Sequence, residues 1–339
     1  MFDLRDLTVP IIGAPMAGGP GTPALAAAVS NAGGLGFLAA GYLTGQGFAD
    51  DIVAARLLTS GPIGVNLFVP QPSAATRSAL DEYRDRLTPL AQRLGAELGL
   101  PRFDDDGWDE KLDVVVSAAP EVASFTFGCP TADVLARLRS AGVVSAVTVT
   151  SRAEADVAVA AGADVLVVQG PDAGGHRGTF SPIRRPGEAP LGELLAEMAK
   201  GGETAVVAAG GLSARPAVQD VLTRGAVAAQ VGTAFLLCDE AGTNPVHRAA
   251  LIDDQFTETT VTRAFSGRYA RGLANEFIRR FDSVAPFGYP EVNQLTAPLR
   301  AAAVAAGDPQ CTNLWAGAQW QKAVGGPAGD IVAALAPAR

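Results

Sequence analysis

Short apolar runs alternate along this chain with alanine-rich stretches of helical spacing, and most runs stop at glycine, proline or an amide. Runs too short for a helix and apolar throughout mark strands buried on both faces of a parallel sheet. They fall at Ile11–Ala14, Leu35–Ala39, Ile63–Phe68, Val122–Phe127, Val144–Val149, Val165–Val168, Ala205–Ala209 and Ala228–Val231. Between them the pattern predicts helices at Ala24–Asn31, Gly47–Leu58, Ala132–Ala141, Ala153–Ala161, Leu191–Ala199 and from Ser213 to Arg224. Thr22 can cap the first of these, with Pro23 in the opening turn, where a missing N–H costs nothing. Ser151-Arg152-Ala153-Glu154 has the spacing of a capping box.

Eight strand–helix repeats in about 240 residues predict an α/β fold of the TIM (β/α)8 barrel type over residues 1–240. The rhythm breaks at 71–118, where Ala79–Leu98 reads as a charged helical insertion. Long insertions after barrel strands often form lids. Asp104-Asp105-Asp106 reads as a solvated loop, because adjacent carboxylates without spaced partners make no metal site, and no metal is expected. Residues 241–339 show no repeat and read as a mainly helical extension covering the barrel mouth, its last helix packing back on the barrel.

Composition narrows the partners. A formal charge of −9 excludes nucleic acid and anionic membranes, which need basic patches, but leaves room for a small anion. Cys129, Cys238 and Cys311 are far apart with no CxxC, so neither a disulfide framework nor a zinc site follows, and a reducing cytoplasm fits. The N-terminal MFDLRDLTVP is acidic where a signal peptide is basic, and no apolar stretch is long enough to span a bilayer. A soluble cytoplasmic monomer or homodimer is expected.

Barrel chemistry sits in the loops that leave the C-terminal ends of the strands. The stretch VLVVQGPDAGGHRGTF at 165–180 ends its strand on Gln169, then passes through Gly170, Gly174 and Gly175 to His176. Glycines let backbone approach a flat ligand, and imidazole changes charge near neutrality. Spacing alone leaves His176 either a structural loop residue or a catalytic one. His247, after Asn244-Pro245, reads as a surface residue or one near a helix start. Asn66, inside a strand, must find partners or cost about 1–3 kcal/mol, so it is a network residue or a ligand contact. The last two strands run into Gly210-Gly211-Leu212-Ser213 and Gln230-Val231-Gly232-Thr233, the places where such barrels build a phosphate site. Ala14-Pro15-Met16-Ala17 would present backbone polar groups to a flat ring, and Asn66 and Gln169 could bond a heterocycle carrying donors and acceptors. Together these features fit flavin mononucleotide (FMN), with no adenine or second phosphate to place. No GxGxxG opens a helix and no Walker lysine is present.

Taken in order, PIIGAPMAGG, LAAAVSNAGGLGFLAAGYL, IGVNLF, SFTFGCP, QGPDAGGHRG, AAGGLS, QVGTAF and LWAG resemble the nitronate monooxygenases, formerly called 2-nitropropane dioxygenases. The resemblance runs from residue 9 to about residue 317. It implies an FMN-dependent TIM barrel with a smaller helical domain over the mouth. It also implies flavin contacts at Asn66, Gln169, Gly174, Gly211 and Gln230–Thr233, and it makes His176 the catalytic residue. The family reaction oxidises alkyl nitronates such as propionate 3-nitronate with O2, through a flavin semiquinone, to carbonyl compounds and nitrite or nitrate, a detoxification. Some members place a histidine on the fourth strand where this chain has Thr126, so no second imidazole is expected there. Tyr42 and Tyr269 are candidates for the substrate pocket, and Arg268 and Arg271 read as either a solvated turn or part of the active site. The close alternative is an FMN-dependent NAD(P)H reductase of the enoyl-ACP or quinone type, whose relatives share the Gly-Gly-His loop. A non-redox phosphate-binding barrel is a more distant one. The LTAPLR…LWAG stretch and the chain length favour the oxygenase.

Overall fold

The computed structural model describes every residue except Lys200, Gly201, Glu203, Ala338 and Arg339. Its framework is a barrel of eight parallel strands among the described residues. In chain order these are β1 (Ile11–Gly13), β2 (Gly36–Ala39), β3 (Ile63–Phe68), β4 (Val122–Thr126), β5 (Val144–Val149) and β6 (Val165–Gln169). A two-residue strand, β7 (Gly175–His176), stands apart from the barrel, and β8 (Ala205–Ala209) and β9 (Ala228–Val231) complete it. The order is β1-β9-β8-β6-β5-β4-β3-β2. The remaining gap closes where Gly13 N–H donates to the Leu35 carbonyl at 2.9 Å and Leu35 N–H to that of Ile11 at 3.0 Å.

Alternation along the strands separates two apolar layers. Val165 and Val167 pack with Phe37, Val207 and Leu4 inside the barrel, while Leu166 and Val168 join the layer between strands and helices. Helices α1 (Pro23–Asn31) and α2 (Gly45–Leu58) lie on that outer layer, as predicted. The alanine-rich α1 approaches β2 so closely that a Cβ on Gly36 would stand 1.9 Å from the Ala26 carbonyl oxygen. The Thr22 hydroxyl accepts from Leu25 N–H at 3.0 Å and caps α1.

The insertion forms two helices rather than one, α3 (Arg77–Arg93) and α4 (Trp108–Ala118), because Gly95 and Gly99 interrupt the pattern between them. Of the three adjacent aspartates, Asp106 is not simply solvated. It pairs with the buried Lys111 at 2.7 Å and accepts from Tyr42 N–H at 3.0 Å. Four more helices surround the barrel: α5 (Ala132–Ser140), α6 (Arg152–Ala161), α7 (Leu191–Ala199) and α8 (Arg215–Thr223).

The C-terminal region contains helix α9 (Pro245–Leu251), strands β10 (Thr259–Thr262) and β11 (Ala270–Leu273), and helices α10 (Glu276–Phe281), α11 (Glu291–Ala305) and α12 (Ala328–Leu335). Its hairpin was not legible as strand, because TTVT and ARGL are short and partly polar. β11 pairs antiparallel with both β10 and β7, so a small sheet joins this region to the loop after β6. α3, α10 and α11 share a second apolar cluster built on Tyr83, Phe265, Phe277 and Leu295. α12 returns to the barrel, burying Ala328, Ile331, Val332 and Leu335 in the layer that holds α1 and α8. Among the described residues, no helix is long and apolar enough to cross a membrane.

Candidate active site

The C-terminal ends of the strands open into one cavity of about 740 Å³. Every residue singled out as catalytic or flavin-binding stands on its wall. Ala14, Pro15 and Met16 come from the loop after β1, and Asn66 from β3. Gln169, Gly174, Gly175 and His176 come from β6 and the loop beyond it. Gly210 and Gly211 follow β8, while Gln230 and Val231 end β9 and lead into Gly232 and Thr233.

The loops after β8 and β9 make a donor cradle. Gly210 and Gly211 have φ of +105° and +74°, left-handed conformations that favour glycine. Their N–H groups and that of Gly232 donate to no backbone acceptor among the described residues. The Thr233 hydroxyl oxygen accepts from Gly317 N–H at 2.9 Å, which leaves its own hydrogen free to donate. Backbone N–H groups without partners, beside a free hydroxyl hydrogen, are the kind of donor a phosphate takes.

The two strand amides have different duties. Asn66 is buried, and its Nδ2 donates to the Ser124 carbonyl at 3.2 Å, Ser124 Oγ at 2.9 Å and Thr126 Oγ1 at 3.1 Å. Its Oδ1 accepts from nothing among the described residues, so the network engages the donor side of the amide and leaves its acceptor open. Gln169 clamps its own loop. Its Oε1 accepts from Gly178 N–H at 2.8 Å and its Nε2 donates to the His176 carbonyl at 3.1 Å. One Nε2 hydrogen remains for a ligand.

His176 is held from two sides. Its backbone pairs with Ala270 of β11, and Arg177 N–H donates to the Tyr269 carbonyl at 2.8 Å. Its Nε2 lies 2.8 Å from Ser266 Oγ, and that hydroxyl donates to the Arg268 carbonyl at 3.1 Å. With the serine proton committed, the network assigns the imidazole proton to Nε2 and leaves a lone pair on Nδ1. Phe127, Tyr289 and Trp315 surround the ring at centroid distances of 5.5, 5.6 and 5.7 Å. Burial, followed by the charges of Arg268 and Arg300, lowers its pKa to about 3, so the imidazole is neutral at physiological pH.

Several side chains stand elsewhere than the sequence suggested. His247 does begin a helix, α9, but it is 5% exposed and lines the cavity, with its buried Nε2 unpartnered among the described residues. Burial lowers its pKa to about 4. Arg268 is buried beneath Phe127, its guanidinium carbon 4.1 Å from the ring centroid and its Nη2 donating to the Thr179 carbonyl. Arg271 donates to the Pro171 carbonyl at 3.0 Å and braces the loop leading to His176. Neither arginine lines the cavity; they support the wall instead of forming a solvated turn. Tyr42 lines the cavity, with the Tyr289 hydroxyl donating to its own at 3.1 Å, whereas Tyr269 packs on Phe287 and Arg263 away from it.

Wall residues that escaped sequence reading include Thr148 near the end of β5, Phe127 and Arg300. Phe127 and Tyr42 adopt φ of +77° and +70°, a conformation uncommon for side-chain-bearing residues and found where function holds it. The polar end of β5 was a readable signal for Thr148. Arg300 ends the LTAPLR stretch that favoured the oxygenase, but nothing in that stretch marked it as a wall residue.

Comparisons with known proteins extend over the whole architecture. The family model for nitronate monooxygenase matches residues 3–338. A probable nitronate monooxygenase of Staphylococcus aureus (strain MSSA476) is 36% identical over 98% of this chain and 94% of its own length. The crystal structure of a nitroalkane oxidase from Streptomyces ansochromogenes matches with a TM-score of 0.94 and 46% identity, covering 98% of this chain and 96% of that one. FabK from Thermotoga maritima, at 24% identity and a TM-score of 0.75 over 98% of this chain and 93% of its own, shares the fold.

Proposed function

Since the chain belongs to the nitronate monooxygenase family and is an oxidoreductase, we propose that it uses FMN and O2 to oxidise alkyl nitronates to carbonyl compounds, with release of nitrite or nitrate. The observation that carries this reading is His176, its Nε2 held at 2.8 Å from Ser266 Oγ, on the wall of the cavity that also contains the donor cradle. The similarity to the Streptomyces nitroalkane oxidase points the same way.

The residues present fit FMN. The unpartnered N–H groups of Gly210, Gly211 and Gly232 with the Thr233 hydroxyl would hold its phosphate. Ala14, Pro15 and Met16 would support the ring, and Asn66 Oδ1 and the spare Gln169 N–H would bond its polar edge. Gly174 and Gly175 would let it approach the loop, with Gln230 and Val231 beneath. When bound, FMN supplies the electron acceptor and the site of reaction with oxygen.

The protein's own part is to receive and orient the substrate. An alkyl nitronate arrives as an anion and needs no deprotonation. A neutral nitroalkane would give its α-proton to Nδ1 of His176, with Ser266 fixing the ring through Nε2. The imidazolium so formed would lie beside the nitronate it has generated and favour it electrostatically. Phe127, Tyr289 and Trp315 limit water around the ring, which strengthens both effects.

The test is oxygen consumption by the flavin-loaded protein with propionate 3-nitronate, beside anaerobic stopped-flow mixing with NADH or NADPH. Nitronate-dependent oxygen uptake without prompt flavin bleaching is expected. Rapid bleaching by a reduced nicotinamide, with no uptake on nitronate, would replace the oxygenase by a reductase.

A further inference from the structure

Arg300 is the one cation on the cavity wall among the described residues. Its Nε donates to Thr296 Oγ1 at 3.2 Å and its Nη1 to Asn313 Oδ1 at 3.0 Å. Its Nη2 donates to the Asn293 carbonyl at 3.0 Å and Asn293 Oδ1 at 2.7 Å. All four acceptors are neutral, and no carboxylate is within ion-pair distance among the described residues. Four contacts against five N–H groups leave one donor on Nη1 without a protein partner. Among the described residues the only carboxylate on the wall is Asp172, which stands against Gly211 at the donor cradle, its Oδ2 3.2 Å from where a Cβ there would lie. Burial lowers the pKa of Arg300 from its ordinary value, yet a guanidinium stays charged.

The surroundings favour an anion with an apolar spacer. Ala297, Ala301 and Val304 share α11 with Arg300 and also line the cavity, so small apolar side chains flank the charge. His176 on β7 and the Arg300 guanidinium on α11 stand on the wall of this one cavity, so a single ligand in it faces both. A rigidly held, uncompensated cation reached in this way is built to receive a carboxylate.

We propose that Arg300 determines specificity by binding a carboxylate of the substrate, so that the enzyme prefers alkyl nitronates bearing a carboxylate to plain ones. The inference rests on the nitronate reading above, and its test can fail separately from that reading. With the flavin-loaded enzyme and its Arg300→Met and Arg300→Lys variants, kcat and KM are measured for propionate 3-nitronate and ethyl nitronate. The dissociation constant of succinate, a probe that cannot react, is measured by tryptophan fluorescence.

The preference of kcat/KM for the carboxylated substrate is expected to fall about 30-fold in Arg300→Met, chiefly through KM, with a smaller fall in Arg300→Lys. Succinate should bind the Met variant correspondingly more weakly. An equal loss on both substrates would overturn the proposal, because Arg300 would then be serving the nitronate group or the fold. So would succinate binding that is indifferent to the substitution. If the wild-type protein oxidised neither nitronate but bound succinate through Arg300, the oxidation reading would fall and the carboxylate site would stand.

Discussion

At the scale of single residues, two histidines stand on the cavity wall for different ends, and both prefer to be neutral. For His176 this means that the ring is unprotonated throughout the neutral range, in the form a general base needs. His176→Ala should lower kcat/KM for a nitroalkane by about 100-fold or more, as expected for loss of a general base. Turnover of nitroalkane and preformed nitronate at wild-type rates would show that the ring has no catalytic part. In the wild type, the nitroalkane profile of kcat/KM against pH should show no inflection near 6.5, since the neutral form persists below that value. His247 makes its mark in stability. Its pKa is lowered from 6.5 to about 4, so the unfolded chain takes up a proton first as pH falls. Any such penalty is absent above about pH 6.5 and grows as pH falls towards 4, reaching about 2 kcal/mol at pH 5. Urea midpoints at pH 7 and pH 5 should therefore differ less in His247→Gln than in the wild type.

At the scale of elements, the barrel strands were legible because each is a short apolar run ended by glycine or an amide. The donor cradle was legible because its glycines follow consecutive strands of the barrel. What escaped reading depends on contacts between segments distant in sequence. β7 is only Gly175 and His176, and it is a strand because Ala270 and Arg271 pair with it. His247 looked polar and turn-like in sequence, yet the fold turns it into the cavity. Glu154, placed by the capping-box spacing, accepts from Thr150 N–H at 2.7 Å and Phe180 N–H at 2.8 Å, tying α6 to the end of the His176 loop. Ser266, in the turn between β10 and β11, bonds Nε2 of the imidazole and orients the ring. Ser266→Ala should lower nitroalkane kcat by about 10-fold with little change in KM, and Ser266→Thr should restore part of it. Equal rates in all three proteins would mean that the hydroxyl does not orient the ring.

At the scale of the molecule, the C-terminal region closes the structure at both of its ends. α12 buries Ile331, Val332 and Leu335 against the barrel. Loss of these three side chains removes about 5 kcal/mol of burial, comparable with the stability of a whole domain. A chain ending at residue 326 should therefore unfold at much lower urea than the full protein. The other closure is the pairing of β7 with β11. A hinge that swung the cap outward would either break that ladder or carry the imidazole away with it. The C-terminal region and the imidazole are in that sense one mechanical unit. Amide exchange at Arg177, whose N–H bonds the Tyr269 carbonyl, would read how often that ladder opens.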